Sequence, residues 1–145
     1  MKGEGGMKKY IGTKVIHAEP ATQGDFRYTK AVAVDPETAK HDGDNTPGYM
    51  VIYEDGYVSW SPKDVFEAAY RPSDGCPFGM ALEAVKKGNG MRLPQWAPDV
   101  TIRAQFPDEH SKMTAPYLYV ESRFGRVPWK ETMIELFSDN WQIVE

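Results

Sequence analysis

"DEHSKMTAPYLYVESRFGRVPW", Asp108–Trp129, reads as one loop followed by one hairpin. Tyr117–Ser122 has the aromatic and β-branched content of a strand, and Gly125 supplies the turn. In a regular strand Tyr117 and Tyr119 share one face while Leu118 and Val120 share the other. The sequence does not say which face is buried. Aromatics are interleaved with Lys112, Arg123 and Arg126, yet the stretch offers no evident nucleophile or general base.

Working outward, the segment before it opens with "FGMALEAVKKG", a helix whose Phe78, Leu82 and Val85 share a face and whose Gly88 is a good terminator. Strand-like pieces follow at about Gly90–Leu93 and Val100–Gln105. After the hairpin, "KETMIELF" is a short helix with Met133, Ile134 and Phe137 apolar, and "NWQIVE" is a final strand. In the first half, Tyr10, Thr13, Val15 and Ile16 favour a strand ended by Pro20. "GDFRYTKAVAVDPETAKHDGDNTPG" is mixed, and its polar, turn-rich second half predicts a mobile loop over about Asp35–Gly48. "YMVIYEDGYVSW" is a hairpin around Asp55 and Gly56. "SPKDVFEAAY" is a helix capped by Ser61, with Pro62 and Asp64 in its first turn and Val65, Phe66 and Ala69 on its apolar face.

The cluster "RPSDGCP", Arg71–Pro77, marks the internal boundary. The predicted order is β-β-β-α, then α-β-β-β-α-β. That is an α+β fold with mainly antiparallel sheets. Its expected parts are a flexible lead over residues 1–9, a small β-rich module over 10–72 and a second domain over 78–145.

Composition narrows the function classes. The 145 residues make one domain or two small ones. Net charge is −4, which disfavours a protein that grips nucleic-acid polymers through many phosphates. The charge is uneven: residues 1–77 carry 9 Lys/Arg against 12 Asp/Glu, while residues 92–130 carry 6 against 4. A local basic patch suits a small anionic ligand. No apolar run reaches the roughly 18 residues of a membrane span, and the N-terminus lacks a secretory core. The single Cys76 fits a reducing cytoplasm and excludes a cysteine-based zinc site; with no histidine near it in sequence, it reads as an inert thiol. His17, His41 and His110 are each isolated, with no metal-ligand spacing. No phosphate-binding glycine loop or nucleophile-elbow motif occurs. No metal, cofactor or catalytic residue is expected.

The tryptophans divide by context. Trp60 and Trp141 lie in strands and read as core. Trp96 lies between prolines in "LPQWAPD", and Trp129 follows Pro128. Aromatic faces on loops stack nucleobases, at roughly 1–3 kcal/mol per base, and nearby arginines pair with phosphate in a bidentate way. Packing is the ordinary alternative for aromatics in a hairpin.

Several motifs occur in order over Phe78–Glu145: "FGMALEAVKKG", "MRLPQWAPDV", "DEHSKMTAPYLYV", "GRVPW" and "SDNWQIVE". This region resembles a phage and prophage domain family named after the Thoeris anti-defence type 2 proteins. The resemblance implies a sponge, a protein that binds cyclic nucleotide immune signals without degrading them. The signals are cyclised ADP-ribose species made by TIR-domain enzymes and, for some members, cyclic dinucleotides of the cGAS-like kind. It also implies homo-oligomers, typically tetramers, with pockets between subunits, working in the cytoplasm of the infected host. Many members carry Arg-x-Gly-Trp-Asn-Gly where this chain has "LPQWAPD"; Trp96 is kept and the Asn-Gly is not. Tyr10–Pro72 resembles a second phage-borne module, of no established activity, marked by "YIGTKVIHAEP" and "GYMVIYEDGYVSWSPKDVFEAAYRP".

On that resemblance, Trp96 and Trp129 would wall the base, and Arg92, Arg103, Lys112 and Arg123 would meet phosphate. Met113, Thr114, Tyr117 and Tyr119 would line the pocket. Asp99 and Asp139 would accept hydrogen bonds from ribose hydroxyls or base edges. The rivals are an enzyme that opens the cyclic nucleotide, and an assembly module that uses the aromatic stretch as an interface, since interfaces share this composition.

Overall fold

A computed structural model describes residues 6–145, so the expected lead over residues 1–9 lies partly outside the described residues. The chain divides into two units, Met1–Tyr70 and Arg71–Glu145. Each has its own antiparallel sheet, of three and five strands respectively, and the fold is α+β. Among the described residues no helix is long and apolar enough to cross a membrane.

The first unit runs β1 (His17–Pro20), α1 (Gln23–Val34), β2 (Gly48–Ile52), β3 (Val58–Pro62), α2 (Lys63–Ala69), with sheet order β1-β2-β3. The β2–β3 hairpin turns at Asp55–Gly56 as expected, with Gly56 at φ +89°. Three expectations are corrected. The first strand ends at Pro20 as expected but is only His17–Pro20: Tyr10 and Ile11 are exposed, and pairing with β2 begins at His17↔Ile52. The mixed stretch is helix α1, opened by a capping box in which Thr22 and Asp25 satisfy each other's backbone N–H. Helix α2 starts at Lys63, later than expected, because Ser61 and Pro62 still pair with β2.

The 35–48 connection is tied down rather than loose. Gly24 N–H donates to Asp44 O and Gln23 N–H to Thr46 O, while Arg27 pairs with both Asp42 and Asp44. Gly24 permits this approach, because a Cβ there would stand 2.6 Å from Asp44 O.

The second unit runs α3 (Phe78–Lys86), β4 (Gly90–Arg92), β5 (Thr101–Gln105), β6 (Tyr117–Ser122), β7 (Gly125–Pro128), α4 (Met133–Leu136), β8 (Gln142–Val144). Sheet order is β7-β6-β5-β4-β8, one strand more than expected, because Gly125–Pro128 pairs fully with β6. The Arg71–Pro77 stretch belongs to this unit: Cys76 exchanges both backbone hydrogen bonds with Trp141, and Ser73 O accepts from Ile143 N–H. Helix α3 buries Ala81, Ala84 and Val85 on one face of the sheet. There Cys76, Met91, Leu93, Ile102 and Trp141 form the core. Each large side chain buried so completely contributes about 1.5–3 kcal/mol.

Candidate ligand-binding face

Strand alternation gives the five-stranded sheet two unlike faces. Ile102, Ala104, Leu118 and Val120 point into the core beneath α3. Their neighbours point the other way, and register aligns them across strands. Gln105 lies opposite Tyr117, Arg103 opposite Tyr119, Thr101 opposite Glu121, Tyr119 opposite Pro128, and Glu121 opposite Arg126. Directly opposed residues share a face, so this face carries two tyrosines and two arginines around one glutamate. A cleft of about 220 Å³ opens on it, lined by Gln105, Tyr117, Tyr119, Arg126, Val127 and Pro128.

Electrostatics on this face centre on Glu121. Its Oε1 accepts from Arg126 Nε at 3.0 Å, and its Oε2 lies 3.4 Å from Arg103 Nε. Arg103 also donates through a terminal nitrogen to the Glu145 carbonyl at 2.9 Å. Gly90 makes room for that guanidinium, since a Cβ there would stand 3.3 Å from Arg103 Cζ. The Arg126 side chain is 73% exposed against 27% for Arg103, so one cation is outstretched and the other is laid against the sheet.

The sequence-expected residues fall into separate places. Arg103, Tyr117 and Tyr119 come together on this face. Lys112, Met113 and Thr114 are exposed on the 106–116 loop, which leaves the sheet at the Gln105↔Tyr117 pair. Trp96 and Trp129 lie on the core side. Both stand edge-on to Trp141, at 5.4 Å and 6.0 Å between centroids, and Phe78 joins the group. Trp129 is anchored there by its N–H bond to Leu118 O. Arg92 donates to the carbonyls of Trp96 at 2.8 Å and Ala97 at 3.0 Å, and to Gln142 Oε1 at 3.0 Å. Its guanidinium thus holds the loop that carries Trp96.

Asp99 sits at the β6–β7 turn end, where it accepts from the Arg123 backbone N–H at 2.8 Å and from its guanidinium at 3.2 Å. The backbone donor holds the Asp99 carboxyl below the usual carboxylate range. Arg123 lies over the Phe124 ring. Asp139 is exposed ahead of β8.

Arg126, Glu121, Gln105 and Pro128 were not among the sequence-expected site residues. The signal for three of them was available: counting in twos from Tyr119 reaches Glu121, and a tight turn at Gly125 brings Arg126 and Pro128 onto the same face.

Elsewhere, Cys76 is buried, and burial followed by the nearby Asp74 charge pushes its thiol above the usual range, so it is a poor nucleophile. His41 accepts at Nδ1 from Gly43 N–H, which leaves Nε2–H for Asp25 at 2.8 Å; this ties a helix to a loop. Among the described residues no group of three or more His, Cys, Asp or Glu converges to hold a metal. A second cleft, of about 250 Å³, lies in the first unit between α1 and β3, beside Phe26, Lys30, Tyr57 and Trp60.

Residues 76–144 match the family model described as Tad2-like, the Thoeris anti-defense 2-like domain. No curated protein matches the chain.

Proposed function

We propose, on the match of residues 76–144 to the Thoeris anti-defense 2-like family model, that the chain is a non-catalytic phage anti-defence protein that sequesters a cyclic nucleotide second messenger. The anti-defence role is what the family supports; the ligand and the mode of action are our reading. One observation carries it: Tyr117, Tyr119 and Arg126 line a cleft on the sheet face opposite α3, and Arg103 lies on the same face opposite Tyr119. Tyrosine faces and Pro128 suit a nucleobase, and the guanidiniums suit phosphate. The cleft lining has amide, phenol and guanidinium groups, and the neighbouring carboxylate, Glu121, is taken up by Arg103 and Arg126.

In this reading the cyclic nucleotide is a cyclised ADP-ribose or a cyclic dinucleotide, and the protein works in the cytoplasm of the infected host as a homo-oligomer, a tetramer by family analogy. The cleft's volume supports assembly. About 220 Å³ falls short of the roughly 300–1,000 Å³ typical of small-molecule sites, so the missing walls come from a second copy or from the 106–116 loop with Lys112 and Met113. Sequestration at micromolar signal needs a Kd near nanomolar, about −12 kcal/mol, which also calls for an enclosed site. Trp96, Trp129 and Arg92 then act by holding the sheet and its loop, and Asp99 and Arg123 by fixing the β6–β7 turn. Calorimetric titration with cyclic ADP-ribose isomers and cyclic dinucleotides tests this. One of them should bind, and Tyr119→Ala and Arg126→Ala should each abolish the heat. Binding that survives both substitutions would move the site elsewhere.

A second reading is favoured by a separate feature. Phe124, Ile134 and Phe137 are each more than 80% exposed, although a helix such as α4 ordinarily buries its apolar side. This suits a protein-interaction module. A monomer unable to bind nucleotide but able to capture a defence protein would favour it.

A further inference from the structure

Glu121 lies between Arg103 and Arg126. Its two carboxylate oxygens face different arginines, Oε1 toward Arg126 and Oε2 toward Arg103, on the sheet face opposite α3. Tyr119 is two residues away on the same face and pairs directly with Arg103. The cleft beside Tyr119 takes Arg126 as a wall. A planar group against Tyr119 and Pro128 would therefore place its own anionic substituent against Glu121.

We infer that Glu121 is a built-in competitor, a carboxylate that occupies the Arg103–Arg126 anion site and is displaced by the phosphate of the bound ligand. This deepens the reading under Proposed function and rests on it for the identity of the ligand. The physical case has three parts. The Arg126–Glu121 pair is weakly held, because the Arg126 side chain is exposed, water screens the pair and holding the side chains in place costs entropy. A phosphate brings more charge and more acceptor oxygens than a carboxylate and can engage both guanidiniums at once. The two arginines are also unequally free. Arg103 is fixed over Gly90 and on the Glu145 carbonyl, and Arg126 is outstretched and can follow the incoming group. Before binding, Glu121 keeps the pair of cations from attracting the cell's abundant phosphates. Selectivity then falls on ligands that also fill the tyrosine-walled cleft.

The test is calorimetric titration of the full chain with two probes, inorganic pyrophosphate and cyclic ADP-ribose. Pyrophosphate needs only the arginines. Glu121→Gln is close in shape and should bind it about fivefold tighter than the parent, from the release of the two arginines that Glu121 holds. Glu121→Ala should show the same gain. Glu54→Gln, an exposed change of equal charge in the other unit, should leave affinity where it was. Adding Arg103→Ala or Arg126→Ala to Glu121→Gln should remove the gain. Thermal melting establishes that each variant is folded.

Pyrophosphate binding no tighter in Glu121→Gln than in the parent, or no binding by either, would overturn the inference whatever the nucleotide does. A gain that persists without Arg103 and Arg126 would also overturn it. The gain in pyrophosphate affinity with cyclic ADP-ribose and related nucleotides ignored by every variant would support the anion site while contradicting the sequestration reading.

Discussion

The Trp96 indole stands edge-on to the buried Trp141, with ring centroids 5.4 Å apart and planes at 85°. An aromatic expected to wall a base is thus part of the wall of the core. Edge-to-face pairs contribute about 0.5–1.5 kcal/mol beyond the area they bury. Trp96→Ala should therefore lower the stability of the second unit by about 2–3 kcal/mol, below the full cost of removing a wholly buried tryptophan because Trp96 is only half-buried. Chemical unfolding followed by circular dichroism measures it. A stability change under about 0.5 kcal/mol with ligand binding lost would return Trp96 to the binding site.

Arg92 makes a parallel case. Three of its acceptors lie within 3.0 Å inside the unit, two of them carbonyls of the Trp96 loop. Arg92→Lys cannot reproduce that fork, and it should cost about 1–3 kcal/mol as charge-assisted bonds are lost and carbonyls go unpaired. The near-ultraviolet signal of Trp96 should change with it. Unaltered stability together with weakened phosphate binding would instead give Arg92 a direct role.

Gly90 gives a steric prediction. A Cβ there would stand 2.5 Å from Thr101 Cγ2 and 3.0 Å from Val144 Cγ2, besides crowding Arg103. Gly90→Ala should cost about 1–3 kcal/mol, the usual penalty of overpacking. It should also disturb anion binding by shifting Arg103. Gly79→Ala, where nothing lies within 4 Å, is the matched control and should change little.

The first unit carries a pH dependence. Asp25 is held below its usual range by the Thr22 backbone N–H and then by His41, Asp42 by the Asp44 backbone N–H and then by Arg27, and Asp44 by Thr46 and then by Arg27. A carboxylate whose folded pKa is depressed contributes stability that is present above its unfolded value, about 3.9, and lost as pH falls through the folded value. The first unit should therefore hold constant stability from neutral pH down to about 5 and weaken progressively below about 4. In the Asp42→Asn/Asp44→Asn double variant that acid slope should shrink, with stability at neutral pH already reduced. Identical acid slopes in parent and variant would contradict the assignment.

The legible parts of the fold were those written locally. The Asp55–Gly56 turn, helix α3 with its terminator Gly88 at φ +109°, and the Tyr/Leu alternation of β6 follow from residue type and period alone. Helix α1 was hidden because Gly24, Thr29 and its polar positions blur the helical period, although the Thr22–Asp25 capping box marks its start. The Tyr10–Ile16 run has strand propensity but no partner in the sheet, and pairing with β2 selected the poorer strand former His17–Pro20 instead. The same limit applied at the candidate site. Residue type and the family resemblance made Tyr117, Tyr119 and Arg103 candidates. Only cross-strand register brought Glu121 and Arg126 to them, and only packing carried Trp96 and Trp129 to the other side of the sheet.

The most direct measurement is recovery of ligand. The purified chain is incubated with cyclic ADP-ribose isomers and cyclic dinucleotides and passed through a size filter, and the retained protein is then denatured by heat. Mass spectrometry of both fractions should find one nucleotide depleted from the filtrate and returned from the heated protein at its original mass. A nucleotide converted to a new mass would make the protein an enzyme, and free passage of every nucleotide would contradict sequestration.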